Sequence, residues 1–298
     1  MINQVTKDKI ANLMLIYDGL LRLQKDALSE ISLAEIPEMV YNSNAIENST
    51  LTLEDTEDIL LRDKITKDRD IREVYEAKNL AKVTVELLQH PDGQLSYESI
   101  LAMHKVLLTH IQENVAGRFR MGKEWVRIGV HVGANPDFVH SLMSELIAKY
   151  RSDNTSYFLD KIAFFHAEFE TIHPFVDGNG RIGRVLINQQ LMLAGYPPII
   201  IQNKSKLTDY YPLFDEYRRS QKYDGFTDLF ALLLIESLHK RITLLTKPKV
   251  ITVSLWAKEN NVPGNSAANR AARQTIPAFR QNEKWMIAAD YKLEIEDS

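Results

Sequence analysis

Apolar side chains recur at helical spacing along most of the chain. Near the N-terminus a spacing of three or four residues joins Ile10, Leu13, Met14, Tyr17, Leu20 and Leu21. The same periodicity predicts further helices over residues 35–48, 52–62, 69–90, 96–111, 136–151, 157–172, 179–194, 206–220 and 226–246. The chain is therefore predicted to be mainly α-helical.

Two segments depart from this pattern. Residues 117–135 are rich in glycine and in β-branched or aromatic residues and carry no helical stripe, which predicts a β-hairpin or an extended flap. Residues 246–249 (TKPK) are predicted to form a linker. Beyond the linker, the sequence predicts a short strand, two short helices around 260–266 and a terminal strand pair around 276–287.

The composition is that of an ordinary globular protein. Of the 298 residues, 45% are hydrophobic and 26% are charged, and a net charge of −4 at pH 7 gives no global attraction to nucleic acid or membranes. The absence of cysteine excludes disulfides and thiolate metal sites and fits a reducing compartment. No signal peptide or spanning helix is evident, so we expect a cytoplasmic protein with no membrane partner.

The densest group of polar and backbone-permissive residues is HPFVDGNGRIGR at positions 173–184. Gly178, Asn179 and Gly180 stand where one predicted helix ends and the next begins. Glycines let a backbone approach a ligand closely, and unpaired N–H groups at a helix start attract phosphate. The Lys-Ser/Thr pair of the common NTPase phosphate loop is absent, so this segment predicts an anion-binding loop of another kind.

The charged residues of the motif suit a nucleotide bound with a metal ion. Arg181 and Arg184 lie about one turn apart, opposite the apolar face of their helix, and suit a di- or triphosphate. A carboxylate would repel phosphate, so Asp177 is predicted to bind a bridging Mg²⁺. His173 is the candidate general base. Each residue alone has an ordinary structural interpretation, and only their combination favours a site.

This stretch resembles, without a mismatch, the signature of the Fic (Fido-fold) family, H-P-F-x-[D/E]-G-N-G-R-x-x-R, and the resemblance covers about residues 35–245. It implies a mainly α Fido fold with a short β-hairpin flap. It also implies a protein adenylyltransferase, which transfers AMP from ATP to a Ser, Thr or Tyr hydroxyl of another protein. By position, it assigns the base to His173, the loop's apolar contact with the core to Phe175, the Mg²⁺ ligand to Asp177, the anion hole to Gly178, Asn179 and Gly180, and phosphate binding to Arg181 and Arg184.

Residues 206–220 resemble the family segment that packs on the adenine. The candidates for that contact are Tyr210 and Tyr211. Periodicity alone fits a place in the core for either tyrosine equally well.

A second stretch, SNAIEN at 43–48, belongs to the same resemblance. Ser43 and Glu47 are four residues apart and share a helix face, and in isolation they would be ordinary surface residues. The segment resembles the family's inhibitory motif, [S/T]-x-x-x-E-[G/N], matched by Ser43, Glu47 and Asn48. The resemblance implies that Glu47 pairs with Arg184 and occupies the contact needed by the γ-phosphate. In some relatives the same glutamate helps to remove AMP, so the reverse reaction stays open.

The flap has a role implied by the family as well. Its hairpin edge binds the target segment by main-chain pairing. We place this edge at Arg127, Ile128, Gly129, Val130, His131 and Val132.

The tail carries a local excess of positive charge. From position 249 to position 289 there are Lys249, Lys258, Arg270, Arg273, Arg280 and Lys284, against Glu259 and Glu283. The segment resembles the winged helix-turn-helix of excisionase or MerR-type proteins, which suggests DNA contacts. Its second helix is rich in alanine and short of base-reading side chains, so protein binding or completion of a homodimer stays open.

The sequence therefore predicts an N-terminal helical region (1–95) with the inhibitory helix at about 35–48, a Fic catalytic core (96–246) and a winged helix-turn-helix-like domain (250–298). The primary hypothesis is an autoinhibited protein adenylyltransferase that uses ATP and Mg²⁺. One alternative is a DNA- or partner-binding regulator that only senses ATP; the presence of His173 argues against it, because a sensor needs no base. The other is transfer of a different phosphate-containing group, which Gly180 and the two arginines disfavour.

Overall fold

The computed structural model describes residues 2–65, 68–91, 93–246 and 249–293, and helices dominate them. The α-helices are α1 (Gln4–Leu23), α2 (Lys25–Ala34), α3 (Ile36–Ile46), α4 (Leu53–Leu61), α5 (Ile71–Gln89), α6 (Tyr97–Leu107), α7 (Val139–Ser152), α8 (Phe158–Ile172), α9 (Asn179–Leu193), α10 (Tyr211–Ser220), α11 (Asp224–Thr246), α12 (Val253–Glu259) and α13 (Gly264–Ala272). The strands are β1 (Arg127–Ile128), β2 (His131–Val132), β3 (Val250–Thr252), β4 (Phe279–Gln281) and β5 (Lys284–Ala288). The prediction of a mainly α chain is confirmed.

The predicted and observed elements differ at a few points. The predicted helix 206–220 begins as a π-helical turn, Lys206–Tyr210, and α10 starts afresh with Pro212 in its first turn, where the missing N–H does no harm. The predicted helix 96–111 ends at Leu107. Residues 136–138 form a 3-10 turn before α7. Helix α2 is an element that the hydrophobic pattern did not predict.

The chain divides into two compact units. The first is Ala34–Phe230, and the second combines Ile2–Leu33 with the chain from Ala231 onward. The boundaries predicted from the sequence, at 95/96 and 246/250, divide the chain by expected function and do not coincide with the borders of these units. They stay predictions. Residues 247 and 248 of the predicted linker, and residues 294–298 of the tail, lie outside the described residues.

The core of the first unit surrounds helix α9. Every residue of α9 except Gly180, Met192 and Leu193 is buried. The apolar face that begins at Ile182 packs into the core as expected, but Leu193, assigned to that face, is 39% exposed. Because α9 is enclosed on all sides, its polar face is buried too, and its arginines find partners within the protein.

Helix α3 packs against α5 and α9 in this unit. Pro37 lies in its first turn, where a missing N–H is tolerated, and Val40 and Ile46 are fully buried. The helix ends at Ile46, and Asn48 takes a positive φ of 69° two residues later. The end of α3 is thereby fixed beside the start of α9.

The flap is shorter than the predicted hairpin. Of residues 117–135, only β1 and β2 pair, with Arg127 opposite Val132 and Ile128 opposite His131. The chain reverses through Gly129 and Val130, and Gly129 supplies the positive φ (58°) that such a tight turn requires. The paired residues are those predicted for the target-binding edge.

The second unit contains a three-stranded antiparallel sheet in the order β3-β5-β4. Helices α12 and α13 lie between β3 and β4 in the sequence, as predicted. Val253, Trp256, Ala267, Ala271 and Ile287 form a small core, in which Trp256 is fully buried. No helix among the described residues is long and apolar enough to cross a bilayer.

Candidate active site

His173 ends helix α8 in a left-handed backbone conformation, with φ 53° and ψ 64°. Such a conformation is costly for a residue other than glycine and persists only where its surroundings enforce it. Arg120, which is 1% exposed, supplies that enforcement: its Nε donates to the carbonyl of His173 at 2.7 Å and its Nη2 to the carbonyl of Ile172 at 3.0 Å. The same guanidinium also bonds the carbonyl of Ala134, beyond the flap. The sequence analysis did not identify Arg120.

The loop after His173 is held by His104, a second residue that the sequence analysis missed. Its ring stacks on Phe175 with centroids 3.6 Å apart. Its Nδ1 accepts from the amide of Gly117 at 3.0 Å, so its Nε2 donates to the carbonyl of Asp177, also at 3.0 Å. Burial lowers the pKa of His104 to about 4, which keeps the ring neutral, and the amide of Gly117 fixes this tautomer.

Asn179 closes the loop from inside. Its Oδ1 accepts from the amide of Phe175 and its Nδ2 donates to the carbonyl of Phe175, both at 2.8 Å. The side chain is therefore committed to the loop, and only the backbone amide of Asn179 is available to an anion.

The loop that is predicted to bind an anion lies at the N-terminus of α9. Gly178 has φ 82°, and the first intrahelical hydrogen bond runs from the amide of Ile182 to the carbonyl of Gly178. The amides of residues 179, 180 and 181 consequently have no acceptor within the helix. They and the helix dipole favour a negative group at this position.

A carboxylate already lies over this helix start. A Cβ added to Gly180 would overlap Oε1 of Glu47, with Nη1 of Arg184 only 3.0 Å away. Gly180 is therefore a glycine because an anionic oxygen sits against its Cα. In this structure that oxygen belongs to the protein itself.

The end of helix α3 binds Arg184 through two of its three guanidinium nitrogens. Its Nε donates to Ser43 Oγ at 2.9 Å, and its Nη2 donates both to the Ser43 carbonyl and to Glu47 Oε1, each at 2.8 Å. The predicted pairing of Glu47 with Arg184 is present, and Ser43 contributes two further contacts. Burial opposes the charge of Arg184, but Glu47, Tyr210 and Glu170 together outweigh this effect and the pKa of Arg184 is raised.

The end of α3 is held in turn by the segment that follows α9. Lys206 Nζ donates to the carbonyls of Ala45 (2.8 Å) and Ile46 (3.0 Å) and to Asn48 Oδ1 (3.0 Å). The hydroxyl of Tyr211 donates to the Ile46 carbonyl at 2.8 Å. The two groups thus fix the backbone at the end of α3 beside Arg184.

Tyr210, by contrast, belongs to the interior. It is 2% exposed, and its hydroxyl lies 2.7 Å from Nε2 of His166. Its ring contacts Phe214 edge-on at 5.0 Å. Of the two candidates for the adenine contact, Tyr210 is therefore largely a core residue.

Asp177 and Arg181 lie in a separate ion-pair cluster. Asp177 accepts from Arg181 Nη2 at 3.0 Å and from Arg72 Nη2 at 2.6 Å, and Arg181 also pairs with Glu76 at 3.3 Å. The Arg181 side chain is only 4% exposed, so the structure turns it toward helix α5. The sequence analysis had no signal for Arg72, which lies 105 residues before Asp177.

The magnesium ligand predicted at Asp177 is a single carboxylate, and Arg72 and Arg181 contact its two oxygens. Among the described residues no group of three or more His, Asp or Glu side chains is arranged to hold a metal. Mg²⁺ in nucleotide sites typically uses one or two carboxylates together with phosphate and water, and Asp177 supplies such a carboxylate with 28% of its side chain exposed.

A cavity of about 520 Å³ lies between His173, the start of α9 and the end of α3. Its volume is typical of a site for a nucleotide-sized ligand. It is lined by Glu47, Asn48, Ile128, Gly129, Val130, Glu170, His173, Gly180, Arg184, Tyr210, Tyr211, Phe214, Asp215 and Arg218. The cavity thus brings the candidate base, the helix start, Glu47 and the flap together, whereas Asp177 and Arg181 are not among its lining residues.

The flap is attached to helix α8. The imidazole of His131 donates from Nε2 to the carbonyl of Thr171 at 3.0 Å, so His131 supports the flap rather than facing outward. Val130 at the tip is 93% exposed. The predicted edge is thus held beside the cavity with its tip free.

Residues 94–191 match the Fic/DOC family. The matched segment lies within the first unit and includes α8, α9 and the loop between them.

Two curated relatives illustrate the similarity. The protein adenylyltransferases Fic of Drosophila persimilis and Drosophila melanogaster are 33% and 34% identical to this chain over 183 and 185 residues. The matched segment is 59% of this chain but only 36% and 37% of those proteins. The chain thus spans little more than a third of the length of the curated relatives that it matches.

Solved structures share the fold at lower identity. A Fic-domain-containing signaling protein from Bacteroides thetaiotaomicron superposes with a TM-score of 0.72 at 22% identity, covering 80% of this chain and 96% of that one. Fic-1 from C. elegans gives 0.67 at 24% identity, covering 80% and 72%. A Fic family protein from Desulfovibrio desulfuricans gives 0.66 at 20% identity and covers 99% and 98%. These likenesses establish the Fido fold.

Proposed function

We propose that this chain is a protein adenylyltransferase, which transfers AMP from ATP to a Ser, Thr or Tyr hydroxyl of a target protein. One observation carries the proposal. A single cavity holds a histidine at the end of α8, the unpaired amides at the start of α9 and the guanidinium of Arg184, and a carboxylate oxygen occupies the anion position among them. The names of the curated relatives support the same reaction.

The residues divide the work of the reaction. His173 accepts the proton of the target hydroxyl as its oxygen forms a bond to the α-phosphorus. The bond from that phosphorus to the bridging oxygen breaks, and pyrophosphate leaves. The amides at the start of α9 and Arg184 bind the phosphates, whose charge spreads in the transition state. Asp177 would hold Mg²⁺, which supplies neutralisation of phosphate charge when it is bound.

Helix α3 is the inhibitory element of this proposal. Glu47 and Ser43 take up the donors of Arg184, so the phosphate that would use them has no place while α3 stays docked. Removal of AMP by the same glutamate, which the family resemblance implies for some relatives, stays open as a second activity. The predicted division into an N-terminal region (1–95), a catalytic core (96–246) and a C-terminal domain (250–298) is proposed on this functional basis.

The flap edge from Arg127 to Val132 is proposed to bind the target. Its two short strands leave an outer edge beside the cavity, and a target segment pairing there would present its hydroxyl to His173.

The winged helix-turn-helix-like domain (250–298) supports a second candidate function, which is DNA binding. Asn265, Asn269, Arg270 and Arg273 are exposed on or beside α13, the helix that a winged helix-turn-helix places in the major groove. Protein binding and homodimer formation stay open for this unit. The cytoplasmic location stays a prediction.

The adenylyltransferase proposal is tested by intact-mass analysis after incubation with ATP and Mg²⁺, with wild type beside Glu47→Gly. A mass increase of one AMP in the variant supports the proposal. If a different phosphate-containing group is added, the alternative transfer reaction replaces it, and if both proteins bind ATP but gain no mass even with candidate targets present, the sensor hypothesis is favoured.

A further inference from the structure

The carboxylate of Glu170 lies behind the candidate base. Glu170 lies in the last turn of α8, three residues before His173, which caps that helix. Its Oε2 is 3.6 Å from Nδ1 of His173, and the two side chains are 10% and 16% exposed. The Nδ1 atom is itself buried. The distance is slightly longer than a hydrogen bond, as catalytic pairs often are without substrate.

A neighbouring glycine makes room for this carboxylate. A Cβ added to Gly183 would overlap Oε1 of Glu170, and it would also meet Cε1 of His166 at 3.2 Å. Gly183 occupies one of the two variable positions between the arginines of the signature. Two separate helices thus provide the parts of one arrangement, because α8 brings the carboxylate and α9 leaves space for it.

The surroundings keep Glu170 ionised. Burial opposes its charge, but the interaction with His173 and the nearby His166 and Arg184 together outweigh burial, and the pKa of Glu170 is lowered. The other groups near it are His166, whose pKa burial lowers to about 4, and Tyr210, whose hydroxyl lies against His166. A buried carboxylate that stays charged acts as a hydrogen-bond acceptor only.

We propose that Glu170 is a positioning residue for the base, which accepts Nδ1–H of His173 and so leaves Nε2 as the nitrogen that faces the target hydroxyl. The proposal rests on the adenylyltransferase function. When Nε2 takes up the hydroxyl proton, the imidazole becomes a cation, and the adjacent carboxylate stabilises it without itself taking the proton. Gly183 contributes to the same arrangement, because any side chain there would displace the Glu170 carboxylate.

A merely structural Glu170 would act as a counter-charge to Arg184, and the experiment separates the two roles. The tautomer of His173 is read from its ¹⁵N chemical shifts in the full-length protein, with the resonances assigned by comparison with His173→Ala. The proposal expects Nδ1–H in wild type and a mixture of tautomers in Glu170→Ala. Unchanged shifts in Glu170→Ala would overturn it, and this readout does not depend on any transfer activity.

Kinetics in the Glu47→Gly background provide the second arm. Glu170→Ala should lower kcat by about 10- to 100-fold, the effect typical of a group that orients a reacting side chain, and should leave KM for ATP within about twofold. Glu170→Gln keeps the volume and loses the charge, so it should also lower kcat. Glu145→Gln, which alters an exposed carboxylate on α7, is the matched control and should change neither constant.

A double-mutant cycle with Gly183 closes the test. Gly183→Ala alone should lower kcat by displacing the carboxylate, whereas Gly183→Ala added to Glu170→Ala should cost little more, because the two changes act on one interaction. Additive losses would overturn the proposal. If the tautomer shifts as expected but no variant transfers AMP, the adenylyltransferase function fails while the Glu170–His173 contact stands.

Discussion

Replacement of Glu47 by glycine tests whether the end of α3 restrains the site. In the structure Arg184 makes three contacts with α3, and only the one to Glu47 involves a charged acceptor. The same carboxylate oxygen covers Gly180 at the start of α9. Glu47→Gly removes both effects at once, while the two contacts to Ser43 remain.

The size of the effect follows from the environment of the carboxylate. A hydrogen bond between charged groups contributes about 1.5–3 kcal/mol. Because the Glu47 side chain is 42% exposed, solvent screens the pair and the lower end applies. About 1.4 kcal/mol corresponds to a tenfold change in rate, so Glu47→Gly should raise self-adenylylation by at least about tenfold.

The assay is intact mass against time with ATP and Mg²⁺, with ATP binding measured in parallel by calorimetry. Glu47→Gln keeps an acceptor without the charge and should activate less. Ser43→Ala removes one of three contacts and should also give a smaller rise, while Arg184→Ala should not activate, because it removes the phosphate-binding group as well. The reasoning fails if Glu47→Gly is folded and binds ATP but is no faster than wild type.

Three further predictions follow from the contacts described. His173→Ala should abolish transfer in the Glu47→Gly background yet leave ATP affinity within about twofold, since the base contacts the hydroxyl rather than the phosphates; equal rates would contradict its role. Arg72→Gln should strengthen Mn²⁺ binding to Asp177 by about two- to fivefold, because it removes a half-exposed ion pair that competes with the metal. Electron paramagnetic resonance measures this affinity, and an unchanged value would show that Arg72 does not compete with metal. If the winged helix-turn-helix-like domain binds DNA, the full-length chain should bind duplex DNA less tightly as the salt concentration rises, and the double variant Arg270→Ala, Arg273→Ala should weaken that binding. If no duplex binding is detected at low salt, binding of a protein partner is the interpretation that remains for this domain.

The sequence predicted those parts of the site that depend on local spacing. The helical stripes placed α8 and α9, and the glycines marked the turn between them. The contact of Glu47 with Arg184 spans 137 residues, and it was predicted only because the short motif resembles one of a known family. Spacing within a segment cannot by itself show which segments meet.

The remaining features depend on tertiary packing. Arg181 and Arg184 are equivalent on a helical projection, yet one pairs with Asp177 and Glu76 and the other with α3, because α9 is buried on every side. Helix α2 was missed because a single non-helical residue, Gln24, separates it from α1 and no glycine or proline marks the break. A helix that is buried on all faces, such as α9, has no periodic pattern that would show where each polar side chain points. A break without glycine or proline, such as that at Gln24, likewise gives no signal in a single sequence.

The buried guanidinium of Arg120 has a consequence for how a target is chosen. It ties the backbone of His173 to that of Ala134, and a Cβ at Gly133 would lie only 3.2 Å from Cβ of His173. These contacts therefore fix the distance between the flap edge and the base. Successive side chains on a paired strand point to opposite faces, so a target displaced by one residue would turn its hydroxyl away. On the proposed function, this protein selects a position along an extended segment, and the amino-acid sequence around that position matters less than its register.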